Sequence, residues 1–507
     1  MCVCLFVCVC VCVCVCTMDV GRLEASVDVL LDRLQPCQAT DRMRRHVVDS
    51  VYQVIEKVAP EARLFLVGSF PLKTYLPDGD IDLSIFMQED AGNGSVWNTL
   101  RDAFKELEDG HGPLPVRETV LIDAEVRLLK VFVENYQIDL TVNQCGGLAT
   151  LCLLEKIDEQ IGNNHLFKRS VLLVKAWCYY ESRVLGSHHG LISTYALTTM
   201  MLFILNAFSK EVTSPLLALA KFLEYFSSFD WSLHGLSILG PVTIDQHPKL
   251  LEPCLETRFS DSFLVELRHN TVGQYKKSPP PTPIRFMNIL DPLRQHNNIG
   301  RSVSQASFYR IQRAFQKGHA VMSDILTNAH TKGATLMRVM FKNIVLRCAS
   351  LDVELEKLRP QLASLEEMDR MPPGIEFPLS SSETSKGATC ASPSGSRPHN
   401  AWMFPSGREH FLAITEEPLA GNSTLMLENL MHARWLMKHM FNTSFSPFTS
   451  PGCSPMPSDR HRGFFSPDPS SRTFKPMDVG AAEAEEDEDE DEDEDEEVEE
   501  AGESEDE

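Results

Sequence analysis

Leu64 to Phe86 reads LFLVGSFPLKTYLPDGDIDLSIF. An apolar run, Leu64 to Val67, leads into the small pair Gly68-Ser69. Asp80-Ile81-Asp82 then opens a second apolar run that only Ser84 interrupts. The pattern predicts strand, tight turn, short helix, loop and strand. In a strand, residues i and i+2 project to one side, so Asp80 and Asp82 point together while Ile81 faces the core. Two neighbouring carboxylates repel each other, and a divalent cation removes that cost. An all-oxygen donor set suits a hard ion such as Mg²⁺ or Mn²⁺. Gly68 lets the backbone approach a ligand, Ser69 is expected to cap the short helix, and that helix start offers free N–H groups to phosphate. A surface hairpin with two solvated acids would use similar letters. The apolar runs on both sides and the Gly-Ser pair favour the metal and phosphate reading.

Working outward, residues 22–59 predict two helices. Leu23, Val27, Leu30, Leu31 and Leu34 recur at helical spacing, then Val47, Val51, Ile55 and Val58, with Thr40 as the expected cap of the second and Pro60 beyond its end. A helix is expected over Trp97 to Leu107. Two strands follow, Glu125 to Val133 and Gln137 to Val142. In the second, Asp139 stands between Ile138 and Leu140, where a lone acid conflicts with burial unless it has a partner. A metal shared with Asp80 and Asp82 would be that partner.

From about Asn163 to Leu205 the periodicity is helical. Lys168 and Lys175 are seven residues apart, hence on one face. Gly190 to Leu197 is expected to open a further helix. Taken alone, these lysines read as a solvated face and Tyr195 as core packing. Another helix is expected over residues 214–229, and a proline-rich connector over 277–285. The segments Met287 to Pro292 and Asn297 to Val303 come next, followed by a basic amphipathic helix bearing Arg310, Arg313 and Lys317. A last pair of helices is expected over 332–367.

The ends differ in composition. Residues 1–17 are a Cys-Val repeat holding 7 of the 15 cysteines. They read as a translated dinucleotide repeat, with Met18 a plausible start; they lack the marks of a signal peptide and are too short to span a membrane. The other eight cysteines form no CxxC pairs, which suits a reduced intracellular protein, nuclear or cytoplasmic and not secreted. Residues 369–482 are rich in Ser and Pro and are expected to be disordered, apart from one short helix near Leu425 to Met440. Residues 483–507 are an acidic tail with 20 acids and no base, so the rest of the chain carries only −4 of the net −24. Bulk charge therefore gives no broad basic surface for nucleic acid, and any such contact must come from local patches.

These pieces in this order resemble the DNA polymerase β-like nucleotidyltransferase superfamily, specifically its poly(A) polymerase and terminal uridylyltransferase group, and above all plant-type proteins with a PAP/OAS1 substrate-binding domain. The resemblance runs over roughly residues 20–345. It rests on Gly68-Ser69, Asp80-Ile81-Asp82 and Asp139, on Lys175-Ala176-Trp177, and on Gly190 to Leu197 with Thr194 in place of the usual second serine. Asp291-Pro292 with Asn298 to Arg301 completes it. It implies an α+β fold in which a mixed-sheet palm domain (residues 18–150, with N-terminal helices) packs against a mostly helical PAP/OAS1-type domain (151–368), with disordered termini. It implies template-independent transfer of AMP or UMP to an RNA 3′ end, with Mg²⁺ or Mn²⁺ held by Asp80, Asp82 and Asp139. Gly68, Ser69, Lys168, Lys175 and Thr194 would serve the triphosphate, Tyr195 the base, and Asn297, Asn298 and Arg301 the opposite wall of the pocket. Uridylyl-selective members often carry His before the Asn-x-Gly-Arg segment; Asn297 holds that place here, with His296 one residue earlier, which favours ATP slightly over UTP. No separate RNA-binding domain is visible, so the resemblance implies an adaptor protein that delivers the RNA, and no membrane partner. A non-RNA acceptor on the same scaffold and an inactive scaffold are the alternatives; the second would be marked by a lost carboxylate, and all three are present.

Overall fold

The computed structural model describes residues 20–363, except residues 61, 88–94, 109, 111–113, 124–125, 252–257, 260–261, 266–282 and 295. The Cys-Val repeat, the Ser/Pro-rich stretch with its expected helix, and the acidic tail lie outside the described residues.

The first part is a five-stranded mixed sheet with strand order β1-β2-β5-β4-β3. Its strands are β1 (Arg63–Val67), β2 (Ile81–Phe86), β3 (Val116–Ile122), β4 (Leu128–Val133) and β5 (Tyr136–Val142). β1 runs antiparallel to β2, whereas β2 and β5 are parallel and pair Asp82 with Asp139 in register. Helices α2 (Gln38–Val58) and α4 (Ser95–Glu108) supply apolar faces to the sheet: Val51, Ile55, Leu100 and Phe104 join Ile81, Leu83, Leu129, Val131, Ile138 and Leu140 in one buried core. β3 was not read from the sequence. Its face alternates poorly, with Arg117, Glu118 and Leu121 out of step, and a register shift between Val116 and Glu118 blurs the period further.

The second part is helical. It comprises α5 (Gly146–Ile161), α6 (Leu166–Ala176), α7 (Thr194–Ala207), α8 (Pro215–Ser228), a single turn α9 (residues 262–265), α10 (Gln305–Thr327), α11 (Gly333–Met340) and α12 (Lys342–Lys357). A two-stranded ribbon, β6 (His234–Ser237) with β7 (Gly240–Thr243), was also not anticipated; each strand is only four residues long. The first helix, α1 (residues 20–34), shares its core with these helices. Leu23, Val27 and Leu31 are buried with Leu153, Phe167 and Leu219 in the larger apolar cluster. Polar ties reinforce this: Arg169 donates to Asp28, Ser214 to Glu24, and Arg33 to Asp352. Among the described residues no helix is long and apolar enough to cross a membrane, and the described cysteines Cys37, Cys145, Cys152, Cys178 and Cys348 are free thiols.

Three local expectations change. Cys37, not Thr40, is the N-cap of α2; Thr40 sits three residues on, where its hydroxyl accepts from the Cys37 N–H and closes a capping box. Ser69 is the first residue of α3 (Ser69–Leu72), and Gly68 precedes it as cap. α7 starts at Thr194, because the Ser193 hydroxyl accepts the Ala196 N–H, while Gly190 takes a left-handed turn upstream.

Gly318 lets α10 lie against α8 and the turn that follows α6. A methyl group there would stand 2.7 Å from the Trp177 ring and 3.0 Å from Leu223. Gly318→Ala adds about 1 kcal/mol of helix propensity but overpacks a rigid ring at a cost of about 1–3 kcal/mol. A thermal melt should therefore show a lower midpoint than wild type; a higher one would mean that the contact has room to give.

Candidate active site

The site begins with the β2–β5 pairing. Because Asp82 and Asp139 are register partners on parallel strands, their side chains rise from the same face of the sheet. Asp80 lies just before β2, and one carboxylate oxygen from each of Asp80, Asp82 and Asp139 falls within 4.8 Å of the other two. The three acids are thus one group, assembled from two strands 57 positions apart in sequence.

Gly68 backs onto this group. β1 pairs Val67 with Asp82, and the chain then turns at Gly68 with φ of 74°. A Cβ at Gly68 would sit 2.0 Å from Asp82 Oδ2. Only glycine leaves that oxygen its place, for steric and conformational reasons alike. The Gly-Ser pair and the Asp-x-Asp pair are therefore parts of one cradle, with Ser69 half-buried beside it.

Charge in the cradle is under tension. Burial raises the Asp82 carboxyl well above the ordinary range, and Asp80 and Asp139 raise it further. Asp139 is pushed up to about 6, first by burial and then by Asp80, although Lys130 and a hydrogen bond from Gln137 oppose the shift. Gln137 Nε2 donates to Asp139 Oδ1 at 2.9 Å, and Lys130, the cross-strand neighbour of Asp139 on β4, comes within 3.9 Å of Oδ2. Lys175 enters from α6, where its ammonium donates to the Thr74 carbonyl at 3.1 Å. Burial lowers its pKa, while the fields of Asp80 and Asp82 raise it. Three crowded oxygens, two of them on acids whose charge burial disfavours, suit a divalent oxygen-binding cation.

A second group lies on the helical part. Tyr195 donates its hydroxyl to Asp291 Oδ1 at 2.9 Å, Asn297 Nδ2 donates to Asp291 Oδ2 at 3.0 Å, and Arg301 Nη1 donates to Asn297 Oδ1 at 2.8 Å. Asp291 therefore orients both Tyr195 and Asn297. Thr194 is exposed at the start of α7.

Two expected residues stand elsewhere. Lys168 is fully buried and donates to both oxygens of Glu155, at 3.0 and 2.8 Å, with Asp158 Oδ2 3.6 Å away. Its seven-residue spacing from Lys175 does not give the two lysines a common outlook, because α6 is buried on nearly all sides. Asn298 is also fully buried. It donates to Pro283 and Asn288 and accepts from the N–H groups of Ile289 and Gly300, so each of its polar atoms is occupied by the protein.

Sequence reading missed Lys130, Gln137 and Asp291 as an orienting acid. For Lys130 and Gln137 a signal existed: polar residues inside β4 and β5, one on the strand beside a buried acid and one on the acid's own strand. Asp291 was seen only as part of an Asp-Pro pair.

Two family models match the chain. The central palm domain of poly(A) RNA polymerase, mitochondrial-like, matches residues 23–158, and the PAP/OAS1 substrate-binding domain matches residues 161–345. Three of the curated relatives to which the chain is similar are the following. Poly(A) RNA polymerase cid12 of Schizosaccharomyces pombe is 24% identical over 316 residues, 60% of this chain and 82% of that protein. Inactive non-canonical poly(A) RNA polymerase protein Trf4-2 of Drosophila melanogaster is 26% identical over 272 residues, 51% of this chain and 58% of that protein. Terminal uridylyltransferase cid1 of S. pombe is 22% identical over 312 residues, 55% of this chain and 74% of that protein.

The carboxyl shifts predict a pH signature for the metal-free protein. With the Asp139 pKa raised from 3.8 to about 6, the folded state holds this proton more tightly than the unfolded chain. Its stabilising contribution is then full below about pH 4 and is lost as pH rises through about 6. At pH 7 the ionised form costs up to about 3 kcal/mol. In chelator-treated protein, Asp139→Asn should melt above wild type at pH 7, with the gap closing toward pH 4. A gap independent of pH would contradict this electrostatic account.

Proposed function

We propose that this chain, which belongs to the poly(A) polymerase and terminal uridylyltransferase group of the DNA polymerase β-like nucleotidyltransferases, transfers nucleotides one at a time to the 3′ hydroxyl of an RNA without a template. The observation that carries this reading is the carboxylate triad of Asp80, Asp82 and Asp139 set against Gly68.

Asp80, Asp82 and Asp139 would hold Mg²⁺ or Mn²⁺. Bound there, such ions supply activation of the attacking hydroxyl and neutralisation of the leaving pyrophosphate. The chain's own residues do the positioning. Gly68 keeps the cradle floor open, so a triphosphate can approach the backbone N–H groups that follow it, beside the half-buried Ser69. Lys175 brings a positive charge to Asp80 and Asp82, and it offsets negative charge when phosphate enters. The acceptor hydroxyl would approach on the Asp139 side. Tyr195 would stack on the base, a contact that every base can make. Asn297, held between Asp291 and Arg301, presents an amide to the base edge, and we assign ATP as slightly favoured over UTP on that residue. Lys168 and Asn298 support the walls and do not touch substrate.

Full-length protein with Mg²⁺ or Mn²⁺, a labelled short RNA and each nucleoside triphosphate in turn tests the reading. Extension is expected. Each of Asp80→Ala, Asp82→Ala and Asp139→Ala should lower it by a factor on the order of 10³ or more, the several kcal/mol that a metal clamp supplies. No extension by wild type with any triphosphate would reject the RNA reading. Asn297→His should shift the ATP-to-UTP ratio of kcat/KM toward UTP by about tenfold or more; an unchanged ratio would remove Asn297 from nucleotide choice.

A further inference from the structure

Asp80 sits on no secondary structure of its own. It ends the loop that joins α3 to β2, and that loop has to carry one of three clustered acids to within reach of the other two. The question is what holds the loop.

Helix α2 holds it from inside. Near the start of α2, Asp41 accepts from Lys73 Nζ at 2.7 Å and from the Tyr75 hydroxyl at 2.6 Å, which anchors the beginning of the segment. One turn on, Arg44 is 1% exposed, and all its described hydrogen bonds go to main-chain carbonyls of the loop. Nη2 donates to Gly79 at 2.7 Å, Pro77 at 3.3 Å and Leu76 at 3.5 Å, and Nη1 donates to Asp80 itself at 3.2 Å. The guanidinium also lies over the Tyr75 ring at 4.3 Å and the Tyr136 ring at 5.1 Å. Converging carbonyls between aromatic faces are a site for a flat, multi-donor cation. A lysine would bring charge but neither the fork nor the stacking plane.

Helix α12 holds the same loop from outside. Asp78, two residues before Asp80, accepts from Arg347 Nη2 at 2.7 Å and Nε at 2.9 Å, and from the Tyr180 hydroxyl at 2.8 Å. Tyr180 belongs to the wide turn Trp177–Glu181 that ends α6. The next residue, Glu181, accepts the Ile344 N–H in the first turn of α12 and fastens that helix to the turn.

We propose that Arg44 and Arg347 are positioning residues for the metal site. Arg44 sets the path of the Asp80 loop from the sheet side. Arg347, through Asp78, ties the loop to the helical part, so the metal cluster is complete only with α12 seated. This rests on the metal-site reading above, but it concerns residues that touch neither metal nor substrate. Loss of an outer partner that orients a ligand typically costs about tenfold or more in metal affinity.

Mn²⁺ alone is the probe, with free ion followed by electron paramagnetic resonance on full-length protein. Asp82→Asn keeps the acidic tail and serves as the background. Arg44→Lys should weaken the difference binding about tenfold or more. Arg347→Gln, a partly exposed change that leaves the core intact, should weaken it about threefold or more with little change in melting temperature. In RNA extension, both should raise the metal concentration for half-maximal rate and recover kcat at saturating metal, with the KM for triphosphate little changed. Wild-type Mn²⁺ affinity in Arg347→Gln overturns the link to α12, and wild-type affinity in folded Arg44→Lys overturns the role of Arg44. If Arg44→Lys fails to fold, Arg44→Gln, which keeps an amide donor for the loop carbonyls but not the charged fork, takes its place in the same titration, and wild-type affinity there overturns the role of Arg44. A wild type that binds no more Mn²⁺ than Asp82→Asn overturns the metal reading itself.

Discussion

The parallel pairing of β2 with β5 forces two carboxylates, Asp82 and Asp139, into register on one face of a buried sheet, and Asp80 joins them from the adjoining loop. Like charges held this close in a poorly solvated place oppose folding. A chain under selection for stability alone would neutralise one of them. The surrounding residues instead make the arrangement tolerable. Gln137 and Lys130 reach Asp139 along and across the sheet, Lys175 comes from the helices, and Gly68 gives up its side chain so that Asp82 Oδ2 has room. None of these contacts removes the repulsion. They leave three carboxylates crowded together, a group of oxygens that could hold a metal ion.

That constraint explains why neither part of the molecule makes the site alone. The sheet supplies the acids and the glycine turn. Lys175, Tyr180 and Arg347 come from the helical part, and each contacts the chain between Lys73 and Asp80 or the acids that follow it. α1, although first in the described chain, packs with α5 to α8 and ties its Arg33 to Asp352 on α12. The chain thus leaves the helical side, crosses to build the sheet, and returns. An acid cluster at such a crossing is held by elements that are far apart in sequence, which suits a site that must be set accurately rather than merely be present.

Much of this was legible from residues. Alternation around Asp139 follows from the two-residue period of strands, and the acid pair and the Gly-Ser pair stand at the edges of apolar runs; the structure brings those residues together, although Asp80 reaches the group from the loop and not from the strand. What stayed hidden was hidden for physical reasons. β3 lacks a clean alternation because a register shift interrupts it. Lys168 and Lys175 share a helical phase, yet on a helix buried almost all round, phase does not separate a lysine held by Glu155 and Asp158 from one facing Asp80 and Asp82. Arg44 looks in sequence like any arginine on an amphipathic helix. Its partners are carbonyls, which every residue possesses, so no side-chain pattern could announce them.

The same reasoning bears on nucleotide choice. Asn297 is a neutral amide that can turn either its oxygen or its nitrogen toward a base, and by itself it would discriminate weakly. Here it is not free to turn. The Asp291 carboxylate takes an N–H of the amide, and the Arg301 guanidinium takes the oxygen, so each partner accepts only one orientation of the group. Asp291 also fixes the Tyr195 hydroxyl, which couples the ring that would stack on the base to the amide that would read its edge. A histidine at position 297 would lose the two-sided grip, since a neutral imidazole offers one donor and one acceptor in a different geometry. On the proposed reading, nucleotide selectivity would depend on how Asp291 and Arg301 orient residue 297 as much as on which residue stands there.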